Sequence, residues 1–238
     1  MASALKRSVY RFIFSRAART ARKIICVSHF TKKELLELEG VHLEEKAVVI
    51  PEAASSVFAP RNTAASAPVL EKFAITSPYF LYVGNAKEHK NLKLLFEAFA
   101  TLSEESPSLV LISSGKEAER LQLPPRVVRI PTVTDDELAS LYSQAVALVT
   151  PSLSEGFGLP VVEAQACGCP VIAVNAGSIP EVASREAILI EPDVRSLSKA
   201  LTEIQHRPRP KPTSFRAWDD VANDVSKVLA SSLVHIHG

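Results

Sequence analysis

The feature that most constrains this chain is a strict succession of short apolar runs and helical patterns between Tyr79 and Gln205. Apolar runs at 79–83, 109–113, 126–130, 145–150, 170–174 and 187–190 read as strands. Helical patterns fill 91–104, 117–121, 135–143, 160–166, 179–183 and 194–205. Strand and helix in unbroken alternation predict an α/β domain with a Rossmann-like parallel sheet and helices on both faces. Local signals agree with the periodicity: Thr134 with Glu137 makes a capping box, and Asn91 stands where it can cap the helix after it. Ligands of such sheets bind beyond the carboxyl ends of the strands, and Gly84, Gly115, Pro131 and Glu155 each fall just after one.

The richest of these loops runs from Glu155 to Glu163, with Gly156, Phe157, Gly158 and Leu159 between the first acid and Pro160. Pro160 suits the first turn of a helix, where its missing N–H is no loss. Glu155 is then a loop residue and Glu163 lies one turn into the helix. Gly156 and Gly158 are expected to take positive φ and let a ligand approach the backbone, while the free amides of the helix start favour phosphate. A carboxylate at Glu163 suits a ribose diol, and one at Glu155 reaches toward a hexose. Taken alone, two glutamates eight positions apart also describe an ordinary strand-to-helix loop with solvated acids.

The wider text is more specific. The stretch from Pro151 to Ile172 resembles the donor-site signature of the retaining glycosyltransferases of family 4, also called group 1. Further family-like pieces follow in family order: Val27-Ser28-His29-Phe30-Thr31, Val48-Val49-Ile50-Pro51, Tyr82-Val83-Gly84-Asn85 with Lys90-Asn91-Leu92, Asp136-Glu137-Leu138 with Leu141-Tyr142, and Ile179-Pro180-Glu181-Val182. The resemblance implies the C-terminal donor-binding half of a GT-B enzyme, with most of the N-terminal domain absent. It also implies transfer of a hexose, of mannose or glucose type, from a nucleotide diphosphate sugar to a glycan or lipid-linked acceptor with retention.

Carried onto this chain, the resemblance makes Glu155 the catalytic residue near the reacting carbon and Glu163 the ribose ligand. Lys90 and the amides of Gly156, Phe157, Gly158 and Leu159 would hold the diphosphate. Gly84 and Asn85 would line the same pocket, Asn85 standing where relatives often carry an Arg, so that charge neutralisation is shared with Lys87 or His89. Val133 stands at the turn that usually faces the base, but Pro131-Thr132-Val133 lacks the customary glycine, which leaves the base open. No cofactor and no metal is implied. Asp135, Asp136 and Glu137 read as acids in a first helical turn, stabilised by its dipole. The glycine turn Asn175–Glu181 reads chiefly as a strand-to-helix connection. The competing reading, from a different class, is a non-catalytic donor-binding module or fragment that requires a separate N-terminal acceptor domain.

The flanks carry the domain expectation: residues 1–50 a remnant of the acceptor domain, 51–205 the nucleotide-sugar-binding domain, 206–238 a linker and a return helix. The segment from Ala59 to Pro68 and the run Pro208-Arg209-Pro210-Lys211-Pro212 read as linkers. Net charge is only +1, but residues 1–33 hold nine Lys or Arg and no acid. Leu5, Val9, Phe12 and Ile13 recur there at helical spacing beside Lys6, Arg7, Arg11 and Arg16. Such a helix lies on an anionic membrane, mimics a transit peptide, or packs on a partner domain, and family order favours the last. Cys26, Cys167 and Cys169 lack the spacing of a zinc site and read as buried thiols of a reducing compartment. The location expected is cytoplasmic or peripheral at the inner face of the cell membrane, with no nucleic-acid partner.

Overall fold

The computed structural model describes residues 4–76 and 78–233, with backbone alone at Ala4, Leu5, Arg7 and Leu233. The chain divides into two compact units, one made of the residues up to Glu52 with those from Trp218 on, the other Ala53–Ala217.

The first unit holds α1 (Ala4–Thr20), β1 (Ile24–Cys26), α2 (His29–Glu39) and β2 (Ala47–Val49), joined by the C-terminal helix Trp218–Leu233. β1 and β2 pair in parallel, with Ile24 opposite Ala47. Ser28 caps α2 by accepting from the Thr31 N–H at 3.0 Å, and Gly40, at φ 109°, ends it. The core is small: Ala18, Cys26, Leu35, Leu43 and Ala47. On α1 the side chains of Val9, Tyr10, Phe12 and Ile13 are exposed. Leu5, the first member of the expected apolar row, lies outside the described side chains. Among the described residues no helix is long and apolar enough to cross a membrane.

The second unit carries α3 (Thr63–Lys72), β3 (Tyr79–Val83), α4 (Leu92–Phe99), β4 (Ser108–Ile112), α5 (Lys116–Glu119), β5 (Val127–Ile130), α6 (Asp135–Gln144), β6 (Ala147–Thr150), α7 (Leu159–Ala166), β7 (Val171–Val174), α8 (Ile179–Val182), β8 (Ile188–Ile190) and α9 (Val194–Ile204). Six parallel strands lie in the order β5-β4-β3-β6-β7-β8. Side-chain alternation splits the core in two. Tyr79, Leu81, Val110 and Ile112 face one side and pack with residues of α6 and α7, while Phe80, Tyr82, Leu109 and Leu111 pack on the other with residues of α4 and α9. This is the parallel α/β sheet with helices on both faces that the alternation predicts. The strand order reverses between β3 and β6, so their adjacent carboxyl ends open the crevice where such sheets bind ligands.

Two local expectations are corrected. The segment 59–68 is not all linker: α3 begins at Thr63, capped by Asn62, whose Oδ1 accepts from the Ala65 N–H at 2.8 Å. Its Ala and Ser residues are what a close helix contact needs, since Ser66 is wholly buried and Val69 and Leu70 pack against the core. Asn91 does precede α4 but sits in the left-handed region (φ 53°, ψ 40°) and gives no side-chain cap. Residues 208–217, with prolines at 208, 210 and 212, form neither helix nor strand and are fastened to the sheet unit. Arg209 donates to the carbonyls of Ala145 (2.6 Å) and Tyr142 (3.2 Å), and the Thr213 N–H donates to that of Gln165.

Candidate functional site

Two loops meet at the reversal of strand order. The first leaves β3 through Gly84, whose φ of 153° and tight approach to the Tyr82 hydroxyl disfavour a side chain; a Cβ there would sit 3.0 Å from that oxygen. The buried Tyr82 donates its hydroxyl to the Asn85 carbonyl at 2.6 Å, and Asn85 Oδ1 accepts from the Lys87 N–H. A 3-10 turn at Glu88–Lys90 then presents Lys90. His89 contributes its carbonyl, not its ring: it accepts from the Leu153 N–H at 2.9 Å and lies 3.3 Å from Ser152 Oγ. These contacts lace the β3 loop to the β6 loop.

The second loop places Glu155 against Lys90. Nζ lies 2.6 Å from Oε1 and 2.8 Å from Oε2, and both side chains are only 15% exposed. Sequence alone separates these residues into a phosphate ligand and a hexose ligand, whereas the folded chain holds them as one charge-assisted pair. The Glu155 carbonyl accepts from both the N–H (3.1 Å) and the Oγ (2.9 Å) of Ser178. Behind it stands Gly177, at φ 63°, where a Cβ would lie 2.7 Å from the Glu155 nitrogen. The turn from Asn175 to Glu181 is therefore the backing of the Glu155 loop, reached through backbone contact.

α7 starts at Leu159 with Gly158 as its cap at φ 97°, and a Cβ at Gly158 would meet Ile179 Cδ1 at 2.9 Å. The expected positive φ is confined to Gly158; Gly156 is exposed and does not share it. Phe157 is buried and anchors the loop, and Pro160 lies in the first turn. On α7, Glu163 accepts from the hydroxyl of Tyr142, O–H to Oε2 at 3.0 Å. Burial pushes the Glu163 carboxyl up to about 7, the Tyr142 hydrogen bond opposes this, and the charge of Asp135 adds to it. Tyr142 lies wholly in the core. The signal that could have found it is a tyrosine on the apolar face of a helix, which needs a buried polar partner.

The other residues fall as follows. Val133 is half-buried and packs on the inner core cluster. Asp135, Asp136 and Glu137 form the first turn of α6: Asp136 pairs with Arg61 at 2.9 Å, and Glu137 closes the capping box with Thr134 and pairs with Lys72. Cys167 and Cys169 are buried, free, and pushed up to about 12 by burial.

A six-stranded parallel sheet with this reversal, a lysine–carboxylate pair at it and a glycine-capped helix start define a domain of GT-B fold. Residues 70–217, more than half of the chain, match the family described as "Glycosyl transferases group 1", and the chain belongs to that family. It is 34% identical over 192 residues to O-antigen chain mannosyltransferase B of Escherichia coli, covering 75% of this chain and 50% of that protein. It is 28% identical over 214 residues to O-antigen chain mannosyltransferase RfbU of Salmonella typhimurium, covering 87% and 57%. The chain thus spans about half the length of these curated relatives. Among solved structures, sucrose-phosphate synthase from Thermosynechococcus elongatus superposes with a TM-score of 0.81 at 23% identity, over 99% of this chain and 65% of that one. Anabaena Alr3699/HepE, in complex with UDP and glucose, superposes at 0.78 and 16% identity, over 94% and 67%. At these identities the likeness is one of fold.

Proposed function

We propose that this chain is the donor half of a glycosyltransferase that moves a hexose, of mannose or glucose type, from a nucleotide diphosphate sugar to a glycan or lipid-linked acceptor with retention. The observation that carries the reading is the Lys90–Glu155 pair at the point where the strand order reverses, beside the start of α7. An ammonium beside a helix start suits a diphosphate, and a carboxylate released from the ammonium is available to the sugar. In this scheme the arriving diphosphate takes Lys90 from Glu155, the Gly156–Leu159 amides take further phosphate oxygens, and Glu163 accepts from the ribose hydroxyls. Positioned donors stabilise the charge that develops on the leaving phosphate. The donor is a substrate and the scheme calls on no cofactor. The two mannosyltransferase relatives support the hexose type, and the UDP-bound Anabaena protein supports a nucleotide ligand in this fold.

The location proposed is the cytoplasmic face, with peripheral contact through α1.

The test is a calorimetric panel of nucleotide diphosphate sugars against the full chain, Lys90→Gln and Glu163→Gln. At least one donor should bind, and each substitution should weaken it by roughly 1.5–3 kcal/mol, the worth of a hydrogen bond to a charged group. Binding that ignores both substitutions would remove the crevice from the reading.

A further inference from the structure

Tyr142 has no exposed surface, and its ring is fixed by Phe58, which meets it edge-on at 6.1 Å and 67°. A phenol so placed must satisfy its hydroxyl inside the protein. It does so on the one carboxylate of α7: the O–H points to Glu163 Oε2. The bond joins two helices, α6 and α7, that pack against each other, so it ties the Glu163 side chain to a rigid element and not to a loop. The bond uses one of the carboxylate's several acceptor sites and leaves the others, on both oxygens, for an incoming hydroxyl.

We infer that Tyr142 is a positioning residue for the donor: by donating to Oε2 it holds the Glu163 side chain in one orientation and keeps its negative charge available to the hydroxyls of a bound nucleoside. The inference rests on the assignment of Glu163 to the nucleoside made above. Its electrostatic side follows from the groups around the carboxyl. Burial and the charge of Asp135 at the start of α6 favour the protonated form, and the Tyr142 hydroxyl favours the carboxylate. Cys167, at the end of α7, is held neutral by its own burial. A protonated Glu163 offers a ligand hydroxyl a neutral acceptor in place of a charged one, so what keeps it ionised also strengthens binding.

Tyr142→Phe deletes the hydroxyl and leaves the ring packing. The full chain, Tyr142→Phe, Glu163→Gln, the double variant and Phe58→Leu are to be titrated by calorimetry with UDP and with GDP between about pH 6 and pH 9. The Glu163 carboxyl is followed in parallel by carbon-13 NMR without ligand. Tyr142→Phe should raise the carboxyl midpoint by about one unit and weaken the nucleotide about tenfold near neutral pH, with the loss shrinking at the alkaline end. On the Glu163→Gln background the same change should cost nothing further, because Tyr142 acts only through Glu163. Phe58→Leu, which loosens the ring and spares the hydroxyl, should leave the midpoint in place.

An unchanged midpoint, a shift equalled by Phe58→Leu, or a loss that recurs undiminished in the double variant overturns the inference. So does a Tyr142→Phe chain too unstable to titrate, which would assign the hydroxyl to folding. In each of these cases a weakened Glu163→Gln still leaves the donor site standing. Failure of both nucleotides to distinguish Glu163→Gln from wild type removes the site and the inference together.

Discussion

Replacing Glu155 by Gln should make the chain bind a nucleoside diphosphate more tightly and fold less stably, and the opposite signs are what make the experiment informative. Lys90 Nζ lies 2.6 and 2.8 Å from the two carboxylate oxygens, and each side chain is 15% exposed. Two unit charges about 4 Å apart attract by about 4 kcal/mol at an effective dielectric constant near 20, and desolvation of both groups takes back most of that. A net of about 1–2 kcal/mol remains, which a diphosphate must displace before it can use the ammonium. Gln keeps the shape and one acceptor oxygen and removes the charge. In the free chain it leaves a mostly buried ammonium with a weaker partner, a loss of about 1–3 kcal/mol. In the complex that ammonium is already on the phosphate, so the competition disappears and affinity for UDP or GDP rises about tenfold, equivalent to about 1.4 kcal/mol. A nucleotide sugar should gain less than the bare diphosphate, because Glu155 is assigned to its hexose. Calorimetry with both ligand types and a thermal melt of each chain supply the readouts. If Glu155→Gln binds neither diphosphate better than wild type, Lys90 is not on the phosphate path and the pair is structural only.

Three further outcomes follow from the geometry. Gly177→Ala should destabilise the chain by about 1–3 kcal/mol and weaken donor binding, because its Cβ would press on the Glu155 backbone from a left-handed position; a melt unchanged from wild type would mean the turn yields freely. Glu163 has a folded-state midpoint of about 7 against an ordinary value near 4.3, so the folded state binds the extra proton between them. Its contribution is full below about pH 4 and is lost as pH rises through 7, so the stability of wild type relative to Glu163→Gln should fall by about 2–3 kcal/mol across that window in chemical denaturation. The exposed Val9, Tyr10, Phe12 and Ile13 beside the basic residues of α1 should bring the chain to anionic vesicles, with binding lost in Phe12→Ser/Ile13→Ser and reduced by salt; sedimentation indifferent to both rejects the contact.

What was legible in the sequence is what depends on short-range pattern. The strand 79–83 and the capping box at Thr134 are local events, and they appear where periodicity and side-chain chemistry put them. α3 escaped because its evidence is tertiary. A run of Ala, Ser, Thr and Pro has little apolar periodicity, and it becomes a helix because small residues let it lie close to the core with Ser66 wholly buried. Gly156 escaped for a related reason: two glycines two positions apart look alike in sequence, but only Gly158 has a neighbour, Ile179, packed where its side chain would go. The turn at Gly177 was read as a connection because its partner, the Glu155 backbone, lies in a different loop.

The two glutamates show where pattern stops and environment takes over. Their spacing puts one before a helix and one inside it, which fixes position and says nothing of charge. In the fold Glu155 is paired with the Lys90 ammonium, while Glu163 meets burial, a neighbouring acid and one phenol, and its midpoint rises to about 7. Two chemically identical side chains thus stand in different surroundings, one in an ion pair and one buried against a phenol. The residues that do this, Lys90 and Tyr142, come from β3's loop and from α6, 65 and 21 positions away along the chain. They reach the glutamates only because the strand order reverses between β3 and β6 and because α6 packs on α7. A change that preserves every motif residue but shifts either contact should therefore alter donor affinity as much as a change in the motif itself.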